Sequence, residues 1–79
     1  MNLDEAIRKR IYELVDKNSS LTKLSLNSNM TPSTIFEIMK GKSKNPTVFT
    51  IKKLCAGAGI TLSEFFNRPY FNNTDDVYN

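Results

Sequence analysis

At 79 residues the chain has room for one domain with one modest core, and a second, effector-sensing domain is not expected beside it. With no histidine and a lone cysteine, Cys55, it lacks an internal disulfide, a zinc set, an imidazole acid or base, and a nucleophile with an evident activating partner, so neither catalysis nor a cofactor or metal is expected. The net charge of +3 is modest, and neither Met1 to Arg10 nor any later stretch has the apolar run of a leader or a membrane span, which points to a reducing cytoplasm.

Leu3, Ile7, Ile11, Leu14 and Val15 recur at helical spacing, with Asn2 and Glu5 placed as a capping pair, and predict a first helix ending near Lys17. Asn18, Ser19 and Ser20 break the pattern. Ser20 then caps a short second helix whose inward residues are Leu21, Leu24, Ser25 and Ser28. Small residues on an inner face imply that another helix crosses closely there. Asn29 tolerates the left-handed backbone of a tight exit. Thr31 caps a third helix with Pro32 at its first position, and Met30 and Ile35 can staple it. Ile35, Ile38 and Met39 face inward and Ser33, Phe36, Glu37 and Lys40 outward, up to a stop at Gly41.

Lys42-Ser43-Lys44-Asn45-Pro46 has loop composition, and Thr47 restarts a helix with an inner stripe of Val48, Ile51, Leu54, Cys55 and Ala58. That helix ends at Gly59. Thr61 and Glu64 form a capping box, Ile60 and Phe65 can staple it, and Phe66 completes a fifth helix. No stretch alternates like a strand. The expected architecture is all-α: a compact five-helix domain over residues 1–66, followed by a polar, loosely held tail over residues 67–79.

Helices two and three, joined through Asn29, form a helix-turn-helix whose second helix fits a major groove. Lys40, Lys42, Lys44, Lys52 and Lys53 lie in one acid-free stretch that suits a polyanion. The start of helix two and the lysine loop would lie over phosphates, and the outer face of helix three would meet base edges. Gly41-Lys42-Ser43 is not a nucleotide loop, because Phe36 stands where the earlier glycine is required and no strand precedes it. Asn18-Ser19-Ser20 and Asn72-Asn73-Thr74 match a glycosylation pattern by chance, without a secretory route.

Three stretches, SLTKLSLNSNMTPSTI from Ser20, KGKSKNPT from Lys40 and IKKLCAGAGITLSEFF from Ile51, together resemble the lambda-repressor and Cro type of domain, the XRE-type helix-turn-helix family. The likeness runs from about Leu3 to Phe66. It implies a five-helix fold that binds double-stranded DNA, commonly as a homodimer on paired half-sites. Carried over by position, phosphate contacts fall at Ser20, Leu21, Thr22, Lys40, Lys42, Ser43 and Lys44, and base contacts at Pro32, Ser33, Phe36 and Glu37. The chain departs from the family pattern at Leu21, where glutamine is frequent, at Pro32, which replaces a polar reader, and at Asn29, where glycine is frequent. Its loop is one residue longer than the family's shortest form.

Glu37 can accept a hydrogen bond from cytosine N4, or pair with Lys40 on the helix surface. Phe36 can meet a thymine methyl or a protein partner. Phe49, Phe65, Phe66, Tyr70 and Phe71 exceed what a small core buries, so some line a dimer contact or the tail folds back over the core. Two functions stay open: a transcriptional regulator, or a protein-binding module of the antirepressor or antitoxin-like kind on the same scaffold. Nothing points to a small-molecule substrate.

Overall fold

Each of the five described α-helices begins at a side chain that closes its own first turn. The computed structural model describes residues 1–17 and 20–76, so the expected break at Asn18 and Ser19, and Tyr78, lie outside the described residues. Helix α1 spans Leu3–Lys17. Ahead of it the Asn2 side chain accepts the Glu5 N–H at 2.9 Å while the Glu5 carboxylate accepts the Asn2 N–H at 3.0 Å. Helix α2 (Leu21–Asn27) starts at Ser20, whose hydroxyl accepts the Lys23 N–H at 3.0 Å. Thr31 does the same for Thr34 at the head of α3 (Pro32–Met39), and Thr47 for Thr50 at the head of α4 (Val48–Ala58). Thr61 and Glu64 make the reciprocal box of α5 (Leu62–Phe66), with bonds of 3.0 and 2.9 Å. The Thr61 N–H and hydroxyl hold the Glu64 carboxyl below its ordinary value. Exits are equally local: Asn29 follows α2 at φ 55°, Gly41 follows α3 at 77°, and Gly59 ends α4 at 72°. Among the described residues all regular structure is helical, completed by a 3-10 turn at Pro69–Phe71.

The core joins Ile7, Ile11 and Leu14 of α1 to Leu24 of α2, Ile35 and Ile38 of α3, Ile51, Leu54 and Cys55 of α4, and Phe65 of α5. Val15, Leu21, Met39 and Ala58 pack against it partly buried, whereas two residues assigned to inner stripes are exposed: Leu3 by 40% and Val48 by 67%. Both open their helices, and since helical side chains lean toward the N-terminus, theirs reach past the helix end, beyond the elements that cover the rest of the stripe.

The small residues of α2 do mark a close crossing. Ser25 and Ser28 are both buried, and at Ser28 the neighbour is α4: a Cβ on Gly57 would stand 2.0 Å from the Ser28 hydroxyl and 2.7 Å from its backbone nitrogen. Only glycine fits there, which explains a residue that costs about 1 kcal/mol relative to alanine in a helix interior. Ser25 donates to the Thr22 carbonyl at 2.7 Å. The Ser28 hydroxyl is buried and finds no hydrogen-bond partner among the described residues.

Residues 67–76 fold back along α1. Phe71 packs on Phe66 and Phe65, with ring centroids 5.0 and 6.1 Å apart. The Tyr70 hydroxyl donates to Glu13 at 2.8 Å, and Asp76 accepts the Leu3 N–H at 2.9 Å, placing an anion at the head of α1. Arg10, only 5% exposed, donates through Nε to the Phe65 carbonyl at 2.7 Å and through Nη2 to that of Glu64 at 3.1 Å. It thereby satisfies the end of α5 with a charge-assisted bond.

Burial first, and then the bond to Glu13, push the Tyr70 hydroxyl up from 10.0 to about 12. An unfolded tyrosine releases its proton near pH ~10, so the folded chain holds this one longer. The stability it contributes is complete below pH ~10 and is lost as pH rises toward the folded value. Tyrosinate absorbance is therefore expected to show a late alkaline phase that Tyr70→Phe removes; an unchanged titration would contradict the packing.

Candidate nucleic-acid interface

The turn between α2 and α3 is held from within. The Ser28 N–H donates to Leu24 and the Met30 N–H to Ser25, both at 2.9 Å, around the left-handed Asn29. Leu24, Ile35 and Ile38 anchor the two helices in the core, which leaves Ser33, Phe36, Glu37 and Lys40 exposed on α3. Leu21, Pro32, Ser33, Phe36, Glu37 and Lys42 come together around an open depression of about 340 Å³. Its walls are apolar from Leu21, Pro32 and Phe36, and Glu37 and Lys42 add one charge of each sign.

The other expected contact residues flank that depression. Ser20 and Thr22 are exposed at the first turn of α2, where the Ser20 hydroxyl is engaged as a cap and the Thr22 carbonyl takes Ser25. Lys40 caps the end of α3, its ammonium 5.3 Å from the centre of the Phe36 ring. The surface pairing of Glu37 with Lys40 is absent, and among the described residues no cation pairs with the Glu37 carboxylate. Ser43 and Lys44 are exposed in the loop.

That loop runs between two left-handed residues, Gly41 at φ 77° and Asn45 at φ 53°. The Glu37 carbonyl accepts the N–H groups of Lys42 and Ser43 at 3.0 and 3.3 Å. Asp4 of α1 accepts the Asn45 N–H at 3.1 Å through one oxygen and pairs with Arg8 through the other. Arg8 lies against the loop's start, with Nη1 3.5 Å from where a Gly41 Cβ would be. Asp4, Arg8 and Asn45 meet at this loop from distant parts of the chain, and the only local signal for them in the sequence is the i, i+4 spacing of the first two.

Cys55 is fully buried in the core, and burial pushes its thiol up, which suppresses the reactive thiolate. No described helix is long and apolar enough to cross a membrane.

Comparison with known proteins agrees with this geometry. A family model described as Helix-turn-helix matches residues 11–65, from the middle of α1 to Phe65. The crystal structure of the prophage Lp1 protein 11 superposes with a TM-score of 0.74 at 26% identity, over 98% of this chain and 100% of the other. No curated protein matches the chain.

Proposed function

The chain belongs to the XRE-type helix-turn-helix family, and from that premise we propose that it is a cytoplasmic transcriptional regulator, a repressor that inserts α3 into the major groove and acts by binding rather than by catalysis. The observation that carries this reading is the bracketing of the exposed face of α3 by the head of α2 on one side and a pinned, lysine-bearing loop on the other. Phosphate contacts that set register and side chains that read bases are needed side by side, and this face offers both.

In this reading Lys40, Lys42 and Lys44 neutralise phosphates, with Ser20, Thr22, Ser43 and the Leu21 backbone supporting them. Ser33 and Glu37 address base edges, the Glu37 carboxylate accepting from cytosine N4, and Leu21, Pro32 and Phe36 offer an apolar wall to a thymine methyl. Two copies bind half-sites about 34 Å apart. Val48 and Phe49, exposed by 67% and 72%, are the apolar surface a second copy would cover.

Fluorescence anisotropy with a random-sequence duplex pool at low and physiological salt tests the proposal. Tight binding that weakens steeply with salt is expected. Absence of binding even at low salt would overturn it and redirect the search to a protein partner. For the dimer, Phe49→Glu is expected to shift sedimentation to the monomer, remove cooperative filling of paired half-sites and abolish the dependence of the melting temperature on protein concentration; a variant that still sediments as a dimer places the contact elsewhere.

A further inference from the structure

We propose that Asp4, far from α3 in sequence, is a positioning residue of the DNA interface: it fixes the second half of the basic loop and holds Arg8 out of competition with the loop's lysines. The inference rests on the DNA-binding reading and goes beyond it by separating what makes the loop bind from what makes it bind in one register.

The loop has two ties. Glu37 holds its start through the Lys42 and Ser43 N–H groups, and Asp4 holds its end through the Asn45 N–H. Lys44 lies between the ties, exposed, and its position relative to α3 depends on the second of them. The Asp4 side chain is 15% exposed and that of Arg8 25%. Both Asp4 oxygens are engaged, one on the loop backbone and one on Arg8, which sits beside Gly41 at the loop's opposite end. One carboxylate thus sets the loop's shape and neutralises a cation at its base.

These two effects act oppositely on two kinds of DNA binding. Non-specific binding requires only positive charge near phosphates, whereas specific binding requires charges already in place, so that little ordering remains to be done in the complex. Removing the carboxylate frees Arg8 as an additional cation and loosens Lys44. Random duplex is then bound as well or better, and the operator worse.

The test uses an operator selected by the wild-type protein from a random pool. Asp4→Ala is expected to speed exchange of the Asn45 amide, to weaken operator binding about tenfold, the scale of removing one hydrogen bond to a charged group, and to leave random-duplex affinity equal or higher. Asp4→Asn, which keeps a side-chain oxygen for Asn45 but not the charge that holds Arg8, is expected to lie between; it carries the comparison if Asp4→Ala melts below the assay temperature. Equal losses on operator and random duplex, corrected for the folded fraction, would reduce Asp4 to a stability role and overturn the proposal, as would unchanged operator affinity. A wild-type protein that binds no duplex strikes instead at the DNA-binding reading itself.

Discussion

Gly57→Ala is expected to lower the melting temperature by about 10–20 °C, from a destabilisation of about 2–3 kcal/mol. In an ordinary helix interior the same change stabilises by about 1 kcal/mol, so even the sign of the result is informative. The reversal follows from the crossing of α2 and α4, where the added methyl would meet the Ser28 nitrogen at 2.7 Å and Cα at 2.8 Å as well as the hydroxyl. A side chain can rotate away; a backbone turn whose N–H is bonded to Leu24 cannot, and the helices must separate. Trimming Ser28 to alanine should therefore fail to rescue the variant. Alone, Ser28→Ala should be neutral or raise the melting temperature by a few degrees, because it removes a buried hydroxyl without a partner among the described residues. Thermal unfolding followed by circular dichroism checks all three proteins. A Gly57→Ala chain that melts higher than wild type would show that the helices do not approach so closely.

The largest effect on binding is expected from Lys42→Ala/Lys44→Ala. If each lysine neutralises one phosphate, the slope of log affinity against log salt should become shallower by about 2, at about 0.9 for each phosphate left without its lysine. Affinity at low salt should fall at least tenfold, roughly evenly across sequences, because phosphates carry no base information. Stability should hardly move, since both side chains are exposed and make no ion pair among the described residues. Anisotropy titrations at several salt concentrations, beside a melting curve, separate these outcomes. An unchanged salt slope would remove the loop from the interface.

The helices were legible because their signals are short. Ser20, Thr31, Thr47 and Thr61 each act on the residue three places on, and Asn29, Gly41 and Gly59 set the exits by backbone freedom alone. Ser25 and Ser28 imply a close crossing, but Gly57 as the residue opposite Ser28 is not legible, because register across two helices is a tertiary fact. The face formed by Leu21, Pro32, Ser33, Phe36, Glu37 and Lys42 followed from position within the helix-turn-helix unit. Asp4 did not, since its role depends on Asn45, which arrives from 41 residues away. Arg10 shares the spacing of Ile7 and Leu14 that puts it on the buried stripe, but its partners, the carbonyls of Glu64 and Phe65, lie more than fifty residues away and leave no local signal. Composition likewise does not register that Tyr70, Phe71 and Asp76 each meet a distant partner on α1 or α5, because polarity is counted along the chain.

The self-closing helix starts bear on how quickly the chain finds its structure. Nucleating a helix is the unfavourable step, since the first turn fixes several dihedral angles for a single bond. Here Asn2, Ser20, Thr31, Thr47 and Thr61 each supply an added bond to that first turn from within the same four residues. Nascent turns can therefore form before distant segments meet, and collapse has mainly to dock them. Such a chain is expected to fold on the microsecond-to-millisecond scale typical of small helical domains, with the α2–α4 crossing, which depends on tertiary register, as its last step to consolidate.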